Sequence, residues 1–392
     1  MSRAALPALR TLVVSDLHLG ARGEKSVLRD PGCLRALCEA VAGCDRLVLL
    51  GDVLELRERP LREVLPEARP ALRALGDAAA RGGVGEIVLL AGNHDHRLIE
   101  PWLRRRDRGR GLDVDAEVAV APGDPLGEIA TSLGGAGPAG VRVHVRYPGV
   151  WLGEATWATH GHLGDRHTTV PILERLSAGV MARLAGAPDP RSVEDYEAAL
   201  APVYAWVDAL AEHSRAERDL EGSEAAWLAL SEPGGGLRHR AARAAFPVLI
   251  AALNRAGLGP LRADLSRAAV RRGPLVAMGE VVARLGLGPR AVIFGHTHRA
   301  GPLPGDDPEE WRTPGGARLL NTGCWVRERG LLGADPARSP YRPGWAAWVA
   351  DPGDGGRGAG SVRVASGAPV GSGAPVGSGA PAAEPELVNL LD

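Results

Sequence analysis

The sequence predicts an α/β fold built on a largely parallel sheet, and three observations carry that expectation. Short apolar runs alternate with helix-like stretches along residues 11–90, each run ends in polar, ligand-type residues, and proline or glycine punctuates the helical stretches. Successive strand–helix units imply right-handed crossovers, which place the polar strand ends along one edge of the sheet.

Thr11 to Ser15 reads as the first buried strand and runs into Asp16-Leu17-His18. Residues two apart in an extended segment share a face, so the Asp16 carboxylate and the His18 imidazole converge on one point. Pro31 to Gly43 reads as a helix opened by proline and closed by glycine. Asp45 to Leu50 repeats the strand pattern and finishes in Gly51-Asp52, and Leu61 to Arg81 is helical in character, with breaks expected at Pro66 and Pro70. The strand Ile87 to Leu90 then delivers Gly92-Asn93-His94-Asp95, an amide oxygen, an imidazole and a carboxylate side by side. Ligands in open α/β sheets gather at such strand C-termini.

Leu103 to Gly111 contains Arg104, Arg105, Arg106, Arg108 and Arg110 and reads as a solvated loop able to draw an anionic substrate toward the nearby edge. Val141 to Val145 alternates like a strand with one wet face, and Trp157 to Thr159 ends in His160-Gly161-His162. Ala291 to Phe294 leads into Gly295-His296-Thr297-His298, where the two histidines share a face as Asp16 and His18 do. Leu319 to Val326 and Trp345 to Val349 read as closing strands.

Between the ligand-bearing strands, residues 163–287 change to helical character. Ile172, Leu176, Val180 and Leu184 form one stripe; Val193, Tyr196, Leu200, Val203, Val207 and Leu210 form a second, with a kink expected at Pro202; Leu275, Met278, Val282 and Leu285 form a third. Such an insertion belongs above the site, as a lid or substrate cap. Ala244 to Ala252 is apolar almost all round and is expected to be buried there, in preference to lining an acyl-binding groove. The chain therefore divides into 1–162 and 288–351 as two halves of one domain, 163–287 as a helical cap, and 352–392 as a Gly/Ala/Pro/Ser-rich tail. Ser-Gly-Ala-Pro-Val-Gly begins at Ser366 and again at Ser372, and Glu386 to Asp392 is expected to be frayed coil.

Composition narrows the partners. Hydrophobic residues make up 45 % and charged residues 24 %, with a net charge of −1, so neither nucleic acid nor an anionic membrane is attracted globally. Basic charge is almost all arginine, with Lys25 the only lysine. Cys33, Cys38, Cys44 and Cys324 lack zinc-knuckle spacing and read as buried, reduced thiols. Met1 to Arg10 has no apolar core and no apolar run reaches the roughly 20 residues that span a bilayer, so a cytoplasmic protein is expected.

Together the strand ends supply Asp16, His18, Asp52, Asn93, His160, His296 and His298, with His94 and Asp95 beside them. Carboxylates, imidazoles and one amide oxygen without a thiolate suit Mn, Fe or Zn ions in a hydrolytic site. Seven ligands are too many for one ion and about right for two, with Asp52 as the central bridge. Two ions roughly 3.5–4 Å apart can hold a bridging water, lower its pKa toward about 7 and clamp an in-line displacement at phosphorus. A positioned His94 imidazole can protonate a departing oxygen.

The ordered set Asp-x-His (16–18), Gly-Asp (51–52), Gly-Asn-His-Asp (92–95), His-Gly (160–161) and Gly-His-Thr-His (295–298) resembles the calcineurin-like metallophosphoesterase family. That resemblance implies a two-sheet β-sandwich flanked by helices. It implies one metal on Asp16, His18, Asp52 and His298 and a second on Asp52, Asn93, His160 and His296, with His94 at the scissile phosphate, steered by Asp95. Ser15 to Gly20 and Gly51 to Leu56 further resemble the UDP-2,3-diacylglucosamine hydrolase branch, which also carries a helical cap. His94 stands where that branch typically has Arg, and His162 where it has Asp.

The expected activity is hydrolysis of a phosphodiester or diphosphate bond by a metal-bridging hydroxide, with two divalent ions, manganese first. The expected substrate is a phosphorylated small molecule or a lipid-linked one. A phosphomonoesterase and a non-catalytic scaffold of the same fold are the alternatives. A nuclease ranks lower, because no aromatic-basic stripe is present.

Overall fold

The computed structural model describes residues 9–134, 140–169, 189–213, 237–256, 259–264, 266–333, 335–351 and 384–392. Its strands are β1 (Leu9–Val14), β2 (Arg46–Leu50), β3 (Glu86–Leu90), β4 (Ala116–Glu117), β5 (Arg142–Tyr147), β6 (Gly149–Leu152), β7 (Thr156–Thr159), β8 (Ala291–Phe294), β9 (Arg318–Asn321), β10 (Trp345–Asp351) and β11 (Glu386–Asn389). Seven of them form one sheet in the order β11-β10-β1-β2-β3-β5-β4 and the other four a second sheet, β6-β7-β8-β9. The central run β1-β2-β3-β5 is parallel, as is β7-β8-β9.

The period-two alternation of the strands assigns each side chain to a layer. Leu12, Val14, Leu47, Leu49, Ile87 and Leu89 face the helices α1 (Pro31–Ala42), α2 (Leu61–Gly82), α3 (Glu100–Arg105) and α4 (Pro125–Leu133). Val13, Val48, Leu50, Val88 and Leu90 turn the other way and meet Val150, Leu152, Ala158, Ile293 and Leu320 of the second sheet. The outer face of that sheet, through Trp157, Val292 and Phe294, packs on α5 (Val193–His213) and α7 (Arg267–Arg284) by way of Tyr196, Leu200, Met278 and Val282. The result is the two-sheet sandwich with helices outside that the motifs imply.

Four expectations change. Helix α2 is continuous through Pro66 and Pro70. Both prolines lie on its exposed side, while Val64, Leu65, Ala68, Ala71, Leu72 and Leu75 bury the other face. Helix α5 runs without interruption through Pro202 in the same way. In α6 (Leu237–Arg255), the apolar stretch expected to be buried is largely exposed: Ile250 is buried, but Val248 is 71 % and Leu249 53 % exposed, because a single helix turns only one stripe inward. Finally, Glu386 to Asn389 is not coil but an edge strand, antiparallel to β10 and fixed by the Arg342–Asp392 ion pair. The stripe from Ile172 to Leu184 and the repeats at Ser366 and Ser372 lie outside the described residues. Cys44 and Cys324 are buried, Cys33 and Cys38 half-buried, and all are free thiols.

Of the arginine run, Arg104 pairs with Glu100, Arg105 with Asp124 and Arg106 with Glu194. The first pair lies within α3, and the other two tie that helix to Asp124 and to α5.

One buried network keys α5 into the sandwich. Glu197 accepts from His96 Nε2 at 3.1 Å and from the Tyr147 hydroxyl, which in turn lies 3.2 Å from His162 Nε2. Burial opposes both charges, yet Glu197 raises His96 above the ordinary histidine value and His96 holds Glu197 below the ordinary carboxylate range. Removing one member of a buried pair strands the other, at a cost of about 3–5 kcal/mol, whereas an exposed pair contributes about 0–1 kcal/mol. Glu197→Ala is therefore expected to lower the thermal unfolding midpoint clearly, and Glu128→Ala, which breaks the exposed Arg69–Glu128 pair, to leave it within about a degree. Calorimetry of the two variants checks this.

Candidate metal centre

Five strands deliver the ligand-type residues that follow them to one place. Asp16 and His18 follow β1, Asp52 follows β2, Asn93 and His94 follow β3, His160 follows β7, and His296 and His298 follow β8. The turns that do this are strained. Asp16, His18, Asp52, His296 and His298 have φ of 55°, 43°, 51°, 67° and 57°, and among the described residues no other non-glycine residue has a positive φ. Left-handed backbone of this kind costs about 1–3 kcal/mol per residue and collects at functional sites. Glycine supplies the room. A Cβ on Gly92 would lie 2.7 Å from both the Asp52 backbone nitrogen and His160 Cδ2, and closer still to Asp52 Oδ1; one on Gly295 would strike Ser15 and Asp16.

Three clusters have ligand atoms close enough to share an ion: Asp16 with His18 and His298; His18 with Asp52 and His94; and Asp52 with His160 and His296. His298 Nε2 is 3.3 Å and His18 Nε2 3.8 Å from Asp16 Oδ1, a buried oxygen with no hydrogen bond. His160 Nε2 is 3.1 Å from Asp52 Oδ2. Asn93 Oδ1 stands 3.0 Å from His160 Nε2 and 2.9 Å from His296 Nδ1. In that orientation the amide oxygen faces only acceptors, which a cation would stabilise; rotated, the amide donates to the same atoms and its oxygen accepts from Arg57 at 3.0 and 3.1 Å.

The outer nitrogen of each imidazole is tied down. His18 Nδ1 meets Glu55 at 2.8 Å, His298 Nδ1 meets Glu328 at 3.1 Å, His160 Nδ1 meets the Leu50 carbonyl at 2.9 Å, and His296 Nε2 meets Asp165 at 2.7 Å. Each bond fixes a ring so that its other nitrogen turns a lone pair toward the cluster, the support found behind metal-ligating histidines. The unpartnered Asp16 oxygen, the converging lone pairs and the all-hard N/O donor set fit two divalent cations sharing Asp52. Glu55, Glu328 and Asp165 were not among the residues that the motifs singled out. For Glu55 the sole local signal was its place three residues after Asp52, and for Glu328 there was none.

His94 is placed differently from the ligands. Its side chain is 26 % exposed, its Nδ1 lies 2.8–2.9 Å from both Glu55 oxygens, and its backbone N–H donates to Asp52 Oδ1 at 2.8 Å. The steering expected from Asp95 thus comes from Glu55. Asp95 instead accepts the backbone N–H groups of Gly92 at 2.7 Å, Val53 at 2.8 Å and Leu54 at 3.3 Å. It braces the two ligand loops against each other.

The side chains perturb one another accordingly. Burial would lower His18, but Asp16, Glu55 and Asp52 raise it to about 10; His160, buried too, is raised by Asp52 and Asp16 to about 9. Burial would raise Asp16, Asp52 and Glu55, and the surrounding imidazoles pull all three well below the ordinary range.

An α/β sandwich with a strand-end cluster of this composition is suited to binding divalent metal ions. Residues 9–172 match the family model for calcineurin-like phosphoesterases, and the resemblance read from the motifs is borne out over that stretch. The fifth motif lies beyond it, and the fold carries His296 and His298 back to the same point. Two solved structures align over most of the chain with a TM-score of 0.27, too low to carry an argument. One is a cold-active protein-tyrosine phosphatase of the psychrophile Shewanella sp., 11 % identical, covering 90 % of this chain and 78 % of its own. The other is a point mutant of a cold-active protein tyrosine phosphatase, 12 % identical, covering 89 % and 77 %. No curated protein matches.

Two outcomes are expected. Without a cation, His18 and His160 hold protons at neutral pH, so divalent-metal binding must release them. Affinity should rise with pH from 7 toward 9–10 and fall below 7; calorimetric titration with Mn²⁺ in buffers of different ionisation enthalpy should show net proton release at pH 7. Gly92→Ala, whose methyl displaces Asp52 or His160, should cut bound metal at least tenfold while circular dichroism stays native.

Proposed function

We propose that the protein is a dinuclear metal-dependent phosphoesterase that hydrolyses a phosphodiester or diphosphate bond, working with manganese in the cytoplasm. The observation that carries this reading is the set of imidazoles turned inward by outer carboxylates around Asp52, together with the family match. Asp16, His18, Asp52 and His298 would hold one cation, and Asp52, Asn93, His160 and His296 the other. Bound there, two such ions supply a nucleophilic water of lowered pKa and neutralise charge on the phosphoryl group.

The chain's own residues do the rest. Glu55 accepts a hydrogen bond from His94 Nδ1–H, leaving Nε2 on the side that can meet the substrate, where a ring protonated on both nitrogens gives the Nε2 proton to the leaving oxygen. Asp52 is oriented from both sides, by the His94 N–H on Oδ1 and by His160 on Oδ2. Arg57, buried beside Asn93, adds fixed positive charge where a phosphoryl oxygen would lie. Of residues 163–287, read from the sequence as a cap, α5 brings Glu197 and Tyr204 to the edge of this site while α7 packs on the outer face of the smaller sheet, and among the described residues no helix is long and apolar enough to cross a membrane.

Asp52→Asn is expected to lose metal and activity together. His94→Ala should keep both ions, counted by elemental analysis, and lose roughly 10²–10⁴-fold in kcat on bis(p-nitrophenyl) phosphate with Mn²⁺. Equal metal loss in the two variants would overturn the division of roles, and no turnover of diesters beside turnover of p-nitrophenyl phosphate would favour the phosphomonoesterase. A chelator should abolish either activity and Mn²⁺ restore it.

A further inference from the structure

Helix α5 lies outside the stretch that matches the family, yet it sends one polar face toward the candidate metal centre. Glu197, Tyr204 and Asp208 are seven and four residues apart, so they share that face. All three are at least nine-tenths buried. Glu197 is committed to His96 and Tyr147. The others are not: among the described residues, Tyr204 Oη and Asp208 Oδ2 have no hydrogen-bond partner, and neither do Asp165 Oδ2, His162 Nδ1 and His96 Nδ1.

These atoms belong to side chains that neighbour one another. The Tyr204 ring centroid is 5.0 Å from that of His96 and 5.9 Å from that of His162, and the Arg57 guanidinium carbon lies 5.6 Å from it. Asp165 is the first charge felt by Tyr204, and Arg57 and His96 are the first felt by Asp208. These side chains border the centre, since the His162 ring is 5.6 Å from that of His160 and Asp165 Oδ1 is 2.7 Å from His296 Nε2.

Leaving a buried polar atom without a partner costs about 1–3 kcal/mol each, so five of them on neighbouring side chains point to a ligand that completes them. Two are carboxylate oxygens, which accept, and Tyr204 can donate or accept. Burial pushes Asp208 up to about 7, the behaviour of a carboxyl that lacks a donor. A group facing acceptors, with a His96 ring nitrogen also at hand, must both donate and accept. That is the property of alcohol hydroxyls, where an ammonium only donates.

We propose that this face of α5 is a substrate subsite beside the candidate metal centre, in which Tyr204, Asp208 and Asp165 bind hydroxyl groups on the organic part of a phosphoester. It deepens the phosphoesterase reading and rests on it for the anchoring of the phosphate. The residues set specificity: an alcohol-rich ester gains bonds that an alkyl ester of the same shape cannot make.

Glycerol 2-phosphate and isopropyl phosphate share a skeleton and differ by two hydroxyls, so their dissociation constants from the full-length, Mn²⁺-loaded protein test the subsite by calorimetry. The expected result is at least tenfold tighter binding of glycerol 2-phosphate, with Tyr204→Phe and Asp208→Asn each shrinking that ratio threefold or more. Should Tyr204→Phe fail to fold, Asp208→Asn carries the test. Equal affinities in the wild type, or a ratio unchanged in the folded variants, would overturn the subsite, and buried water would then be the partner. A larger gain for phosphoethanolamine over ethyl phosphate than for the glycerol pair would overturn the hydroxyl assignment. If neither phosphate binds the loaded protein and no ester is hydrolysed, the phosphoesterase reading fails instead. Equal binding of the glycerol pair with hydrolysis intact removes only the subsite.

Discussion

The structure depends on a balance of repulsion. Lone pairs of imidazoles and carboxylates are brought within 3–4 Å of each other in a buried place, on backbones that several residues adopt only at a cost. Nothing in that arrangement is self-stabilising without either protons or cations. What holds it is the ring of outer bonds, Glu55 behind His18 and His94, Glu328 behind His298, Asp165 behind His296 and the Leu50 carbonyl behind His160. Electrostatic preorganisation of this sort is what hydrolysis at phosphorus needs, because the groups need not move as charge develops.

The sandwich makes the arrangement affordable. Strands β1, β2 and β3 are buried on both faces, so their ends are held rigidly, and the loops that follow begin from fixed points. Asp95 then locks the turn after β3 to the turn after β2 through three backbone N–H groups. Around this frame α5 adds a second buried polar network, reached from outside the family-matched stretch, that touches the same loops through His96 and His162.

Much of this was legible in the residues. Strands with apolar runs and polar ends are visible because burial on both faces demands consecutive Val and Leu, and the ligands stand at the ends where the pattern stops. The inward-facing residues Asp16, His18, Asp52, Asn93, His160, His296 and His298 all meet as their motifs suggested. The outer partners were hidden for a physical reason: Glu328 reaches His298 through tertiary contact, with no periodicity to mark it, and Asp95 sat beside His94 in sequence while its carboxylate turned to backbone amides. The prolines of α2 misled because a single-residue rule ignores which side of the helix faces water. The strand Glu386–Asn389 was invisible because its partner β10 lies across a long low-complexity tract.

The donors come from both sheets. Asp16, His18, Asp52 and Asn93 hang from the larger one, and His160, His296 and His298 from the smaller. A cation gripped by such a set would act as a rivet through the seam between the layers, joining segments some 280 positions apart in the chain. Sliding one layer over the other by even an ångström would change every donor spacing at once, so occupancy and interlayer packing are thermodynamically linked, and each must strengthen the other.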